Sequence, residues 1–221
     1  GEIKKMRCCH ATLDLSHTLE KEAFWDPLKS GGGALKDIGP HAFSVMRYWL
    51  GEDYVLKSVK DAGITTVRST RTVEDKPNYE VIVDDKALVD IEWENRKGNR
   101  VDSRLEAYWL EKKKLPKELK LAGLYHEVEG TKGKMTFPNG TIGLLLGEKP
   151  YFKIHVYFKV ERPDGSVEKY SMVNPKEHSE SKIAIDEFVS GVKSRSPAWY
   201  GKDMMILLDS AYLSKKKGGK K

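Results

Sequence analysis

The apolar positions change period twice along the chain, and those changes outline the fold. Over residues 34–50, Leu35, Ile38, Ala42, Val45, Met46 and Trp49 recur at three and four residues, the stripe of a half-buried helix. Gly51 supplies a stop, and Pro40 lies near the start, where a missing N–H costs little. Pro40 also permits a regular helix that begins only there, which would loosen the turn before it. After Gly51 the pattern is that of strands. Residues 55–62 and 64–73 are β-rich, and Ala87, Val89, Ile91 and Trp93 alternate with Leu88, Asp90, Glu92 and Glu94. Asp84-Asp85-Lys86 reads as the turn into that strand. Arg162-Pro163-Asp164-Gly165 predicts a hairpin between residues 154–160 and 167–170. Residues 97–121 are charged, and 105–110 fit a strand or a helix. Helical spacing returns from Ser179, through Ile183, Phe188, Val189 and Val192. It recurs over 202–213, where Met204, Leu207, Leu208, Ala211 and Tyr212 share a side.

Residues 3–15 fit an opening strand. Residues 17–30 hold Phe24, Trp25 and Pro27 without a steady period and read as a long loop with one short helical turn. Helix, many strands, then two helices predicts an α+β domain: an open, mostly antiparallel β-sheet with helices packed on one face. No repeat or low-complexity linker divides the chain, so residues 1–214 are expected to form one domain. His155, Tyr157 and Lys159 alternate with Ile154, Val156 and Phe158, a pattern that suits a subunit interface or a solvated face.

Charge changes this picture little. The net charge is +6, but Lys215, Lys216, Lys217, Lys220 and Lys221 carry most of it and leave +1 on residues 1–214. Residues 215–221 are therefore expected to be a disordered basic tail, not a nucleic-acid site. No apolar run approaches the length of a membrane span, and the first residues have no secretion signal. Cys8 and Cys9 are the only cysteines. They form neither a metal framework nor a disulfide framework, and one is expected inside and one outside. The chain thus reads as a protein of a reducing compartment, the cytoplasm.

The candidate chemistry sits at the start of the first helix. Gly31-Gly32-Gly33 feeds a segment with Asp37 and His41 four residues apart, one helical turn. His41 suits proton transfer near neutrality, and Asp37 could orient it or hold a substrate hydroxyl. The glycines would let backbone approach a ligand, and Trp25 could wall the flat face of a sugar. Each has a plainer use: Asp37 as a helix cap, His41 as a core residue, the glycines as a hinge. No Gly-x-Gly-x-x-Gly follows a strand and no phosphate-binding Gly-x-x-x-x-Gly-Lys-Ser/Thr occurs. His10, His17, His126 and His178 offer no metal-ligand spacing, and His178 before a helix reads as a cap or a ligand contact.

Several ordered pieces resemble the carboxy-terminal domain of the glucose–fructose oxidoreductase and inositol dehydrogenase family. They are Gly1-Glu2-Ile3, the run from Phe24-Trp25-Asp26-Pro27 through Gly31-Gly32-Gly33 to Asp37 and His41, Glu129-Gly130-Thr131-Lys132-Gly133, and the closing segments from His178 to Ser214. The resemblance implies a substrate-binding and oligomerising domain of an NAD(P)-dependent oxidoreductase that moves a hydride between nicotinamide and a sugar or polyol. It implies His41 as the acid–base group, Asp37 as its substrate-binding partner, and Trp25, Gly32, Gly33 and His178 on the substrate side. NAD or NADP would be bound mainly by a Rossmann domain that, with its catalytic lysine, lies outside this chain. Ser44 stands where many members carry a second acidic residue. The start at Gly1, without a methionine, suggests a piece of a longer protein that would be inactive alone. The other reading is a non-catalytic assembly or ligand-sensing protein built on the same domain.

Overall fold

The computed structural model describes all residues except 13–20, 68–69, 74–75, 111, 120–122, 138–140, 146–151, 176–188, 191–197 and 219–221. The expected helix from Ser179 and the candidate His178 lie outside the described residues, apart from helical residues 189–190. Strand β1 (Ile3–Ala11) opens the chain. Where a loop with one helical turn is expected, two short helices follow, α1 (Glu22–Trp25) and α2 (Pro27–Ser30). The Asp26 side chain caps the second, accepting from the Leu28 N–H at 2.9 Å. The stripe over residues 34–50 is interrupted: α3 (Ala34–Asp37) ends at Ile38, and α4 (Gly39–Leu50) begins afresh with Pro40 in its first turn. Gly51, at φ 70°, closes α4 through its N–H to the Arg47 carbonyl.

Ten further strands complete the sheet content: β2 (Tyr54–Thr65), β3 (Thr70–Val73), β4 (Lys76–Glu80), β5 (Lys86–Asn95), β6 (Arg100–Tyr108), β7 (Leu124–Gly130), β8 (Gly133–Phe137), β9 (Thr141–Leu145), β10 (Phe152–Glu161) and β11 (Val167–Pro175). The open sheet runs β11-β10-β8-β7-β1-β6-β5-β2, with β9 also on β10; β3 and β4 pair separately. Every pairing among the described residues is antiparallel except β1 with β6. The fold is the expected α+β class, and the ambiguous 105–110 segment resolves as the end of β6 and its exit. Helix α5 (Ala198–Gly218) closes the chain and carries Lys215–Lys217, where a disordered tail is expected. Lysine is a good helix former and is favoured at the negative end of the helix dipole.

One face of the sheet is dry. Met6 and Cys8 of β1, Val89, Ile91 and Trp93 of β5, and Leu105 of β6 bury against Ala42, Phe43 and Met46 of α4 and Leu207, Leu208 and Ala211 of α5. Arg47 is fully buried in this layer; its guanidinium donates to the Tyr54 carbonyl and lies 4.4 Å from the Trp199 ring centroid. The other face is ionic. Arg7 grips Glu106 through two nitrogens, Arg104 grips Asp90, and Lys60 meets Asp102. The expectation of one buried and one exposed cysteine fails. Cys9 on the ionic face is covered by Leu110, Leu115 and Leu119, so both thiols are buried.

Asp84 ties these layers to the glycine run. Its carboxylate accepts from the N–H groups of Gly33 (3.1 Å) and Leu35 (2.9 Å) and from the Tyr212 hydroxyl of α5 (2.7 Å). Its carbonyl accepts from the Ala34 N–H. A Cβ at Gly33 would stand 1.8 Å from that carbonyl oxygen, so glycine is required by contact with Asp84. Gly33→Ala is expected to cost about 3 kcal/mol or more by forcing the backbones apart. Gly201→Ala, on open helix surface, should stabilise by about 0.5–1 kcal/mol. Urea midpoints moving the same way for both would contradict the contact.

Candidate functional site

The site lies where the parallel pair β1 and β6 ends on the same side of the sheet. His10 is near the end of β1, opposite Ala107, and β6 runs out through Tyr108 into Trp109. Helix α3 crosses this end and brings Asp37 to Trp109, whose indole N–H donates to Asp37 Oδ2 at 3.0 Å. The carboxylate is exposed on its other side, so one oxygen is fixed and the rest of its acceptor capacity faces solvent.

A cavity of about 250 Å³ opens beside this carboxylate, lined by Ala23, Phe24, Ser30, Gly32, Lys36, Asp37 and Trp109. Phe24 and Trp109 meet edge to face at 6.2 Å between centroids. Trp25 lies beneath this wall, not in it: it has no exposed surface and packs against Trp109 at 5.2 Å. Two larger hollows, about 420 Å³ beside Trp49 and Asn95 and about 390 Å³ on the ionic face, touch neither Asp37 nor His41.

His41, in the first turn of α4, is exposed and lies over His10, the rings near parallel with centroids 6.0 Å apart. The break at Ile38 separates its helix from that of Asp37, and among the described residues no hydrogen bond joins the two side chains. They share one end of the sheet but make separate contacts. Ser44 turns back on its own helix, donating to the Pro40 carbonyl at 2.8 Å.

Three imidazoles meet here, which the sequence spacing did not reveal. His126 of β7 lies 5.0 Å from His10 between centroids and takes the edge of Trp49. His10 Nε2 and His126 Nδ1 are buried with no hydrogen-bond partner. Burial, helped by the neighbouring imidazoles, pushes His10 down to about 3, and burial alone pushes His126 to about 4. Both therefore stay neutral beneath His41. Among the described residues no cluster of histidine, cysteine or acidic side chains has metal-binding geometry.

The glycine run makes no phosphate cradle. The Gly31 N–H donates to the Pro27 carbonyl, Gly32 to Ser30 Oγ, and Gly33 to Asp84, so its amides are already used within the chain. Of the expected substrate contacts, Gly32 lines the cavity, while Gly33 is buried against Asp84. With these amides committed, the glycine run does not fit the phosphates of a dinucleotide.

A family profile described as the GFO/IDH/MocA C-terminal domain matches residues 1–136. The chain belongs to that family. Solved structures agree on the fold. An NAD-binding oxidoreductase from Klebsiella pneumoniae superposes with TM-score 0.66 at 17% identity, covering 97% of this chain and 58% of its own. A levoglucosan dehydrogenase in complex with NADH and L-sorbose gives 0.62 at 17%, covering 97% and 58%. GenD2 from gentamicin A biosynthesis, in complex with NAD, gives 0.58 at 18%, covering 99% and 54%. The domain therefore spans little more than half of each of these chains. No curated protein sequence matches it. The tripeptide Glu148-Lys149-Pro150 occurs late in the domain, outside the described residues.

Sequence reasoning missed Trp109, Phe24, Lys36, Asp84 and the histidine pair. Trp109 is 72 residues from Asp37 and Asp84 is 51 from Gly33, so no local spacing could join them. The buried imidazoles ionise near 6.5 when unfolded but resist protonation when folded. Their stabilisation is complete above pH 6.5 and drains away as pH falls toward 4, with about 3 kcal/mol from His126 alone. The urea midpoint should already fall between pH 6.5 and 4.5, before most carboxylates titrate. A His10→Phe, His126→Leu double variant should flatten that fall; an unchanged slope would mean that the rings are hydrated.

Proposed function

We propose that this domain binds the substrate, and joins the subunits, of an NAD(P)-dependent oxidoreductase that exchanges a hydride with a sugar or polyol. The observation that carries the reading is Asp37. Its carboxylate is anchored by Trp109 and left open toward a cavity beside Phe24, four residues before an exposed histidine on the next helix. The half-buried Phe24 ring suits the C–H surface of a sugar, and a carboxylate with free acceptor sites suits vicinal hydroxyls. Family membership and fold neighbours crystallised with NADH, NAD or L-sorbose support the same direction.

In this scheme Asp37 accepts from a substrate hydroxyl, and His41 holds or passes the hydroxyl proton as the carbon is oxidised. Trp109 fixes Asp37, and Phe24 and Trp109 shape the pocket. His178 is a further proposed substrate contact. A nicotinamide cofactor, when bound by another domain of the complete enzyme, would supply the hydride chemistry. Trp25 supports the wall from below. Subunit contact is assigned to the ionic face of the sheet, where charged side chains stand in pairs. The free, buried thiols of Cys8 and Cys9 suit a cytoplasmic setting. Among the described residues no helix is long and apolar enough to cross a membrane.

Titrating the chain with D-glucose, sorbitol or myo-inositol should shift the indole resonance of Trp109, and Asp37→Ala should abolish the shift. Absence of any shift would remove the polyol reading. In the complete enzyme, His41→Ala should lower kcat by about 10²–10⁴. Its Tm should hardly change, because the ring is exposed; an unaltered rate would exclude His41 from the proton step. Separately, light scattering at micromolar concentration should give a multiple of the 25.1 kDa chain mass, and a single-chain mass would refute the interface.

A further inference from the structure

The cavity beside Asp37 holds a cation that the reading above does not use. Lys36 lines it, half-buried, and among the described residues its ammonium makes no hydrogen bond or ion pair. Nearby cations differ. Lys29 lies 3.5 Å from Glu22 and 3.8 Å from Asp26, and Lys76 lies 2.8 Å from Glu22.

Lys36 is also held in place. Its stem runs over the bare backbone of Gly32, where a Cβ would come within 2.8 Å of Lys36 Cδ. Its ammonium lies 5.8 Å from the centroid of Tyr212, the residue whose hydroxyl is committed to Asp84. Ordering a lysine costs side-chain entropy, and here packing against Gly32 and Tyr212 supplies that ordering before any ligand arrives. An ordered cation without a carboxylate, next to an anchored carboxylate, divides the cavity into an anion-accepting end and a hydroxyl-accepting end.

We infer that the substrate is an acidic sugar, a polyhydroxy compound whose carboxylate pairs with Lys36 while its hydroxyls meet Asp37. This rests on the polyol-site reading and narrows its substrate class. A neutral polyol would leave the ammonium without an anionic partner, whereas a sugar carboxylate gains a charge-assisted hydrogen bond at a site shielded by Phe24 and Trp109.

The 221-residue chain is titrated with D-glucuronate, D-glucose and inorganic phosphate, following the Trp109 indole resonance. The same titrations are run on Lys36→Met and Lys36→Arg, with circular dichroism and Tm checking the fold. Glucuronate is expected to bind about tenfold more tightly than glucose, the worth of one good charged contact. The ratio should fall to near one in Lys36→Met and persist in Lys36→Arg. In the unaltered chain it should also shrink in about 0.3 M salt, which tests the charge even if Lys36→Met does not fold. Equal binding of both sugars would overturn the acidic class while leaving the polyol site intact. A preference that survives in Lys36→Met, or phosphate binding as tightly as glucuronate, would overturn it too. Binding of neither sugar would overturn this inference together with the polyol reading.

Discussion

A single buried carboxylate holds the working end of this domain together. Asp84 binds two backbone amides of the glycine run, its carbonyl binds a third, and the Tyr212 hydroxyl of the last helix closes on it. At 4% exposure a carboxylate without such donors would be costly, so the fold satisfies it with local backbone and one distant phenol. Everything downstream depends on that choice. The glycine run is pinned, α3 starts at a fixed point, and Asp37 three residues later arrives at Trp109. The next residue, Asp85, accepts the Val67 N–H on its side chain and the Trp109 N–H on its carbonyl. The same two-residue step therefore positions both partners of the Asp37–Trp109 bond.

The sheet contributes direction. Most of its pairings are antiparallel, yet β1 and β6 run side by side in parallel and finish together. That coincidence places His10 and Trp109 at one edge, under the start of α4, and lets residues nearly 100 positions apart share a site. Beneath His41 lies a buried pair of imidazoles, each with one unpartnered nitrogen, a stability cost of the kind that persists near functional positions. The ionic face spends its charges in mutual pairs. Exposed pairs of this kind add little to stability.

The length of α5 has its own cause. Its apolar side docks on β2 and α4, and Arg47 of α4, wrapped by Trp93, Trp199 and Tyr200, fastens its first turns. Its far end delivers Tyr212 to Asp84. The helix thus spans from the buried arginine to the glycine run and links the layer behind the sheet to the mouth of the cavity.

Periodicity made the scaffold legible. The i, i+3, i+4 stripe marked α4, strict alternation marked β5, and glycine marked the stop at residue 51, because each signal reports a local backbone geometry. The motif around Gly31–His41 was legible too, as a resemblance and as a spacing. Asp84-Asp85, which reads only as a turn, is also the buried clamp. Trp25, which reads as a ligand wall, is the core beneath Phe24 and Trp109. What the chain alone determined was where most of the helices and strands lie and which stretch resembles the family's motif. The tertiary structure alone decided which side chains meet there. Asp37 with Trp109, Gly33 with Asp84 and His10 with His126 are contacts between segments far apart in the chain, made when burial and unsatisfied polar groups select one packing, and no local pattern encodes that selection.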